Sequence, residues 1–120
     1  MRFMVMAIRE GSGSAATGEA LGAETVAKRL EYNRSLQKAG VLLAVDELFP
    51  PSTGARISSM DGKPAVTDGP FPQSTEVLGG YWVLQVRSRE EAIEWAKRAP
   101  LSGREVIEVR QIHEIADLHN

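Results

Sequence analysis

The chain contains no cysteine, which rules out disulfides, thiolate metal sites and cysteine nucleophiles. Nor is there an excess of positive charge: 14 Lys and Arg stand against 16 Asp and Glu, a formal net charge of −2. That balance supplies no basic footprint for direct nucleic-acid binding. No apolar run approaches the ~20 residues that a membrane-spanning helix needs. Histidine is scarce, and neither His113 nor His119 falls in the N-terminal half. What remains is 42% hydrophobic and 25% charged over 120 residues, the make-up of an ordinary soluble globular protein. This length suits one domain over residues 1–120, with a core that needs no metal or cross-link. The apolar residues 3–8, ending in Arg9-Glu10, are short for a signal peptide. The expectation is a buried first strand in a cytoplasmic protein with no membrane partner.

Periodicity supplies the remaining elements. Residues 11–18 are small and polar and read as a surface loop. Residues 23–39 read as a helix with Val26, Leu30, Asn33 and Leu36 on a loose shared face, ended by Gly40. Residues 41–45 make a second buried strand, broken by Pro50-Pro51. Asp61-Gly62 between two short runs is a hairpin signal, because a two-residue turn of that kind requires positive φ. Pro64 cannot donate to a ladder, which puts its arm at an edge. Residues 81–86 alternate as a strand. Ser88 and Glu91 then form a capping box for a helix that buries Ala92, Trp95, Ala96 and Ala99 and stops at Pro100. Residues 105–112 are the last strand, followed by a polar tail expected to fray.

Without the hairpin, the order is βαββαβ. The fold expected is α+β: a ferredoxin-like antiparallel sheet with both helices on one face and an inserted β-hairpin. No further helix is left to cover the other face, so a second copy of the chain is the simplest cover, as a homodimer with sheets face to face. Alternation places Tyr81, Val83 and Gln85 on that face, with Val106, Glu108, Arg110 and Ile112 from the last strand. Trp82, Leu84, Val86, Ile107 and Val109 go to the helix side. Glu108 and Arg110 stand two apart on one face. Enclosed by a partner, they would either pair as structural charges or serve a site.

The stretch Val66-Thr67-Asp68-Gly69-Pro70-Phe71, with Glu76 and Leu78-Gly79-Gly80-Tyr81-Trp82 after it, resembles the signature of YCII-related proteins of the DGPF type. Lys38-Ala39-Gly40-Val41-Leu42, residues 90–96 and Glu108-Val109-Arg110 match the family in the same order along almost the whole chain. The resemblance implies a dimeric α+β barrel. It also implies kinship with a dehydrochlorinase-like lyase that uses a His–Asp pair, and an association of DGPF members with alternative sigma factors. The histidine-free N-terminal half leaves the lyase-type His without a counterpart. Thr75 stands where many relatives carry lysine, which removes that lysine's anion-binding role.

Within the loop, Pro70 and Pro72 fix φ on either side of Phe71, and Gly69 is expected to supply unusual backbone angles. Such stiffness suits either a site builder or a dimer anchor with Phe71 as a plug. Asp68 is expected to accept hydrogen bonds from its own turn. The functional expectation is a small anionic organic ligand in the cleft between sheets. Arg110 would bind its charge, Phe71, Glu76 and Tyr81 would line it, Trp82 would support it, and Asp68 or Glu108 would act as acid or base. The alternative is a non-enzymatic regulator engaging a sigma factor.

Other signals carry less. Residues 11–16 approximate a dinucleotide fingerprint and residues 13–18 a phosphate loop. The chain is too short for the first, and Glu19-Ala20 replaces the Lys-Ser/Thr pair of the second. His113, Glu114, Asp117 and His119 read as a solvated tail rather than a metal cluster. No metal or cofactor is expected.

Overall fold

A computed structural model describes residues 1–10, 21–72 and 74–118. The glycine-rich residues 11–18, on which the two phosphate-type readings fell, lie outside the described residues. The elements are β1 (Arg2–Glu10), α1 (Ala23–Lys38), β2 (Leu42–Glu47), a 3-10 turn (Pro51–Thr53), β3 (Ala55–Met60), β4 (Lys63–Asp68), β5 (Glu76–Gln85), α2 (Arg89–Ala96), β6 (Glu105–Gln111) and α3 (Ile115–Leu118). Four strands form one antiparallel sheet in the order β2-β5-β1-β6. The architecture is the ferredoxin-like α+β fold expected. β3 and β4 pair apart from it, through Asp61 and Gly62 at φ 51° and 78°. That is the positive-φ turn that the Asp-Gly step calls for.

The core lies between the sheet and the two long helices. Phe3, Val5 and Ala7 of β1 and Trp82 and Leu84 of β5 meet Tyr32 and Leu36 of α1 and Ala92 and Ala96 of α2. Burial of each large side chain among these contributes about 2 kcal/mol. The ends of the helices follow from their caps. Gly40, at φ 74°, donates to Gln37 O while Val41 N–H reaches Leu36 O, both bonds of a Schellman motif. Leu36 and Val41 are both buried beside it. At α2, Ser88 Oγ accepts from Glu91 N–H, and Glu91 Oε1 accepts from Arg87 N–H, one residue before the expected partner.

Four local expectations are corrected. β2, read as a buried strand, has Leu43 and Ala44 exposed and Leu42 and Val45 only half-buried. β5, expected from residue 81, begins at Glu76. The buried side of α1 is Arg29, Tyr32 and Leu36, while Val26 and Leu30 are exposed. The reason is the floor beneath. Trp82 and Tyr32 pack T-shaped with ring centroids 5.4 Å apart, and Trp82 donates from Nε1 to Asn33 Oδ1 at 2.6 Å. Arg29 stacks over the same ring. The tail, read without structure of its own, carries a short helix as far as Leu118, and His119 lies outside the described residues. Glu114 pairs with Arg2 at 3.0 Å and leads into α3, with its N–H donated to Asp117 Oδ2.

On the opposite face of the sheet, cross-strand register lines up two rows. Arg110, Met4 and Val83 form one, with Ala44. Glu108, Met6 and Tyr81 form the other, with Asp46. No helix of the described residues is long and apolar enough to cross a membrane.

Candidate functional site

The loop after β4 folds back on the β2–β3 connection. Gly69 N–H donates to Gly54 O at 2.8 Å. A Cβ on Gly69 would overlap the Pro51 carbonyl. Gly69 is therefore required by close backbone approach, not by unusual angles, since the positive-φ glycines among the described residues are Gly40, Gly62 and Gly103. The Gly69-Pro70 peptide is cis. Asp68 ends β4 opposite Ala55, its exposed carboxylate without a hydrogen-bond partner among the described residues. Its own turn does not satisfy it. Phe71 lies half-buried under the Arg56 guanidinium, 4.1 Å from its ring centroid, and Arg56 also donates to Ser74 Oγ.

Phe71 and Glu76 are brought together. They line a cavity of about 390 Å³ with Arg56 and the segment from Leu48 to Pro51. Tyr81, Glu108 and Arg110 instead stand on the open sheet face. Tyr81 donates to Asp46 Oδ2 at 2.7 Å, and that hydrogen bond, followed by the Asp46 charge, pushes its hydroxyl above the ordinary value. Glu108 and Arg110 share the face but form no ion pair with each other. Trp82 points the other way, into the core.

Sharing the walls Leu48, Phe49, Pro50, Pro51, Val77 and Leu78, a larger cavity of about 470 Å³ opens toward α1. Leu21 and Val26 close its helix side, and its polar lining is Arg9, Arg29, Glu47 and Glu105. Arg29 is only 3% exposed and every arm of its guanidinium is engaged. Nη2 holds both oxygens of Glu105 at 2.7 Å, Nη1 holds both of Glu47 at 2.9 and 3.0 Å, and Nε donates to Pro100 O. Glu105 also accepts from Ser102 N–H and Oγ at 2.8 Å. Burial, the largest single influence, pushes the Glu105 carboxyl up; the hydrogen bonds from Arg29 and Ser102 and the Arg29 charge together hold it below its ordinary value.

Glu47 differs from Glu105 in position. Its side chain is 42% exposed and ends at the cavity. Gly80 makes room for it, since a Cβ there would stand 2.6 Å from Glu47 Oε2. The bulge where Ala7 pairs Gly80 and Ile8 pairs Leu78 turns Val77 to the helix side as a cavity wall.

None of Arg29, Glu47 and Glu105 emerged from the sequence reading. One signal was available: residues 29, 32 and 36 share a helical stripe, and a charge on a stripe with Tyr and Leu demands buried partners. Nothing local pointed to Glu105, which lies 76 residues away. Among the described residues no group of three or more His, Asp and Glu is arranged to hold a metal ion.

Comparison with known proteins adds two findings. A model of the YCII-related domain matches residues 1–116. The "Uncharacterized protein R00369" of Rhizobium meliloti (strain 1021) is 33% identical over 64 residues, which are 53% of this chain and 52% of that protein. The match thus spans about half the length of the curated relative.

Proposed function

The chain belongs to the YCII-related family, and we propose that it binds a small organic molecule in the 470 Å³ cavity between α1, the β2–β3 connection and the start of β5. The observation that carries this is the pairing of apolar walls with one fixed charge network at the floor, the usual build of a small-molecule site. Its size falls within the ~300–1,000 Å³ typical of such sites. The triad is held from α1, β2 and β6 at once, so the polar floor is preorganised. Any proton transfer is assigned to Glu47, the carboxylate both half-exposed and on the lining. Asp68 and Glu108, proposed from sequence, line neither cavity. Arg110, proposed as the anion contact, lies outside both.

The test is ligand occupancy. Val77→Trp fills the cavity from its β5 wall and is expected to abolish binding of naphthylmethanol, followed by methyl NMR of Val26 and Leu78. Arg110→Ala is expected to leave binding intact. The opposite pattern would return the site to the open sheet face.

Exposed apolar surface favours a second property, self-association. Phe49 is 85% exposed, the hairpin pair Ile57 and Val66 is also open, and the uncovered sheet face carries Met4, Met6 and Val83. A homodimer with sheets face to face covers such surface. Light scattering on Met6→Arg is expected to show monomer where the parent protein is a dimer; a monomeric parent refutes it. Engagement of a sigma factor, the regulatory alternative, competes for the same apolar surfaces and predicts that adding the factor displaces self-association.

A further inference from the structure

We infer that the cavity selects ligands whose polar group is a hydrogen-bond donor, an amine before a hydroxyl, and that Glu47 is the residue that reads it. This deepens the proposed small-molecule site and rests on it.

The inference comes from counting donors and acceptors at the cavity floor. Arg29 has five N–H donors, and these are directed at Glu105, Glu47 and Pro100 O. It has none left for a ligand anion. Glu105, clamped between Arg29 and Ser102 and almost fully buried, has no exposed edge to offer. Glu47 is the exception. Each of its oxygens accepts one bond from Nη1, and a carboxylate oxygen can accept two. Its half-exposed side therefore faces the cavity with acceptor capacity unused.

Charge points the same way. One guanidinium against two carboxylates leaves the triad with a surplus negative charge. Arg9 lies on the same lining and is itself engaged with a partner. An entering carboxylate would meet two acids whose shared cation is saturated. An entering ammonium would form a charge-assisted bond to Glu47, shorter and stronger than a neutral one. The walls, Leu21, Val26, Leu48, Phe49, Val77 and Leu78, suit an aromatic or branched aliphatic body. The ligand class is thus an apolar primary amine or amino alcohol of modest size.

The experiment compares three probes with one apolar body: naphthylmethylamine, naphthylmethanol and naphthylacetate. Each is titrated by calorimetry at fixed salt, with Val26, Val77 and Leu78 methyl shifts locating it. The amine is expected to bind about tenfold or more tighter than the acetate, as a charge-assisted bond allows, with the alcohol between. Glu47→Gln keeps the shape and the Gly80 packing and is expected to bring the three within about threefold of one another. Glu108→Gln makes the same charge change on the opposite face and is expected to leave the order intact.

Acetate binding tightest, with the same methyl shifts, overturns the selectivity while leaving the site. An amine preference that survives Glu47→Gln overturns the role of Glu47. Failure of all three probes to shift the cavity methyls overturns the small-molecule reading itself.

Discussion

Replacing Arg29 with methionine tests the structural half of the site most directly. Methionine fills the aliphatic path of the arginine stem and deletes the charge between two acids. Glu47 can rehydrate, because nearly half of its side chain already meets solvent. Glu105 cannot, with its side chain 2% exposed. Removing one partner of a buried ion pair costs ~3–5 kcal/mol. The two bonds from Ser102 persist, which places Arg29→Met near the low end, at about 3 kcal/mol. For a chain of this size that lowers Tm by roughly 10–15 °C.

Its pH dependence carries a sign that simple loss of packing lacks. In the parent protein the Glu105 carboxyl is depressed, so its contribution is present above the ordinary range of ~4.3 and is lost as pH falls through the depressed value. In Arg29→Met, burial acts without the guanidinium and favours the neutral acid. That penalty is largest at neutral pH and shrinks on acidification. The stability gap is therefore widest near neutral pH and narrows toward about pH 4.5. Urea unfolding followed by Trp82 and Trp95 fluorescence measures both. Arg29→Met combined with Glu105→Leu, which removes the stranded charge, is expected to recover most of the loss. A loss under ~1 kcal/mol, or a gap that stays constant with pH, refutes the reasoning.

Other substitutions probe the supporting structure. Gly69→Ala forces a methyl into the Pro51 carbonyl and is expected to cost about 1–3 kcal/mol, read as a lower urea midpoint; an unchanged midpoint refutes the close approach. Ser88→Ala removes the cap on Glu91 N–H at a cost of ~1 kcal/mol, visible as faster exchange of that amide. Burial, with the Arg98 charge opposing it, pushes the Tyr32 hydroxyl up to about 12. Its contribution is thus complete below the ordinary tyrosine value of ~10 and is lost as pH rises toward the folded one. Tyr32→Phe loses the bond to Trp95 O but escapes that titration, so the difference between the two proteins is expected to shrink on going up through that range. A difference that grows with alkalinity contradicts the buried phenol.

The frame was readable because its signals are local. Asp61-Gly62 makes a positive-φ turn on its own account, Ser88 and Glu91 need only each other's backbone, and Gly40 ends α1 through bonds within five residues. Alternation placed Trp82 and Leu84 inward and Tyr81 and Val83 outward, because a strand has only two faces. The face of α1 was misread for a related reason. A helix carries many possible stripes, and the choice among them depends on what lies beneath; here it was Trp82, which draws Tyr32, Asn33 and Arg29 toward it. The loop Asp68-Gly69-Pro70-Phe71 was legible as constrained, but its glycine answers to Pro51, on a connection the loop does not adjoin in sequence.

Sequence alone therefore determined the order of the strands and the two long helices, the stop of α1 at Gly40, the start of α2 at Ser88, the hairpin and which strand residues share a side, all of them consequences of backbone geometry over a few residues. Tertiary structure alone decided that Arg29, Glu47 and Glu105 meet, that Gly80 leaves space for a carboxylate, and that the walls from Leu48 to Pro51 enclose a cavity with Val77. A charged side chain carries no mark of its distant partner. Only when α1, β2 and β6 pack around one guanidinium does desolvation make those two acids necessary, and with them the floor of the site.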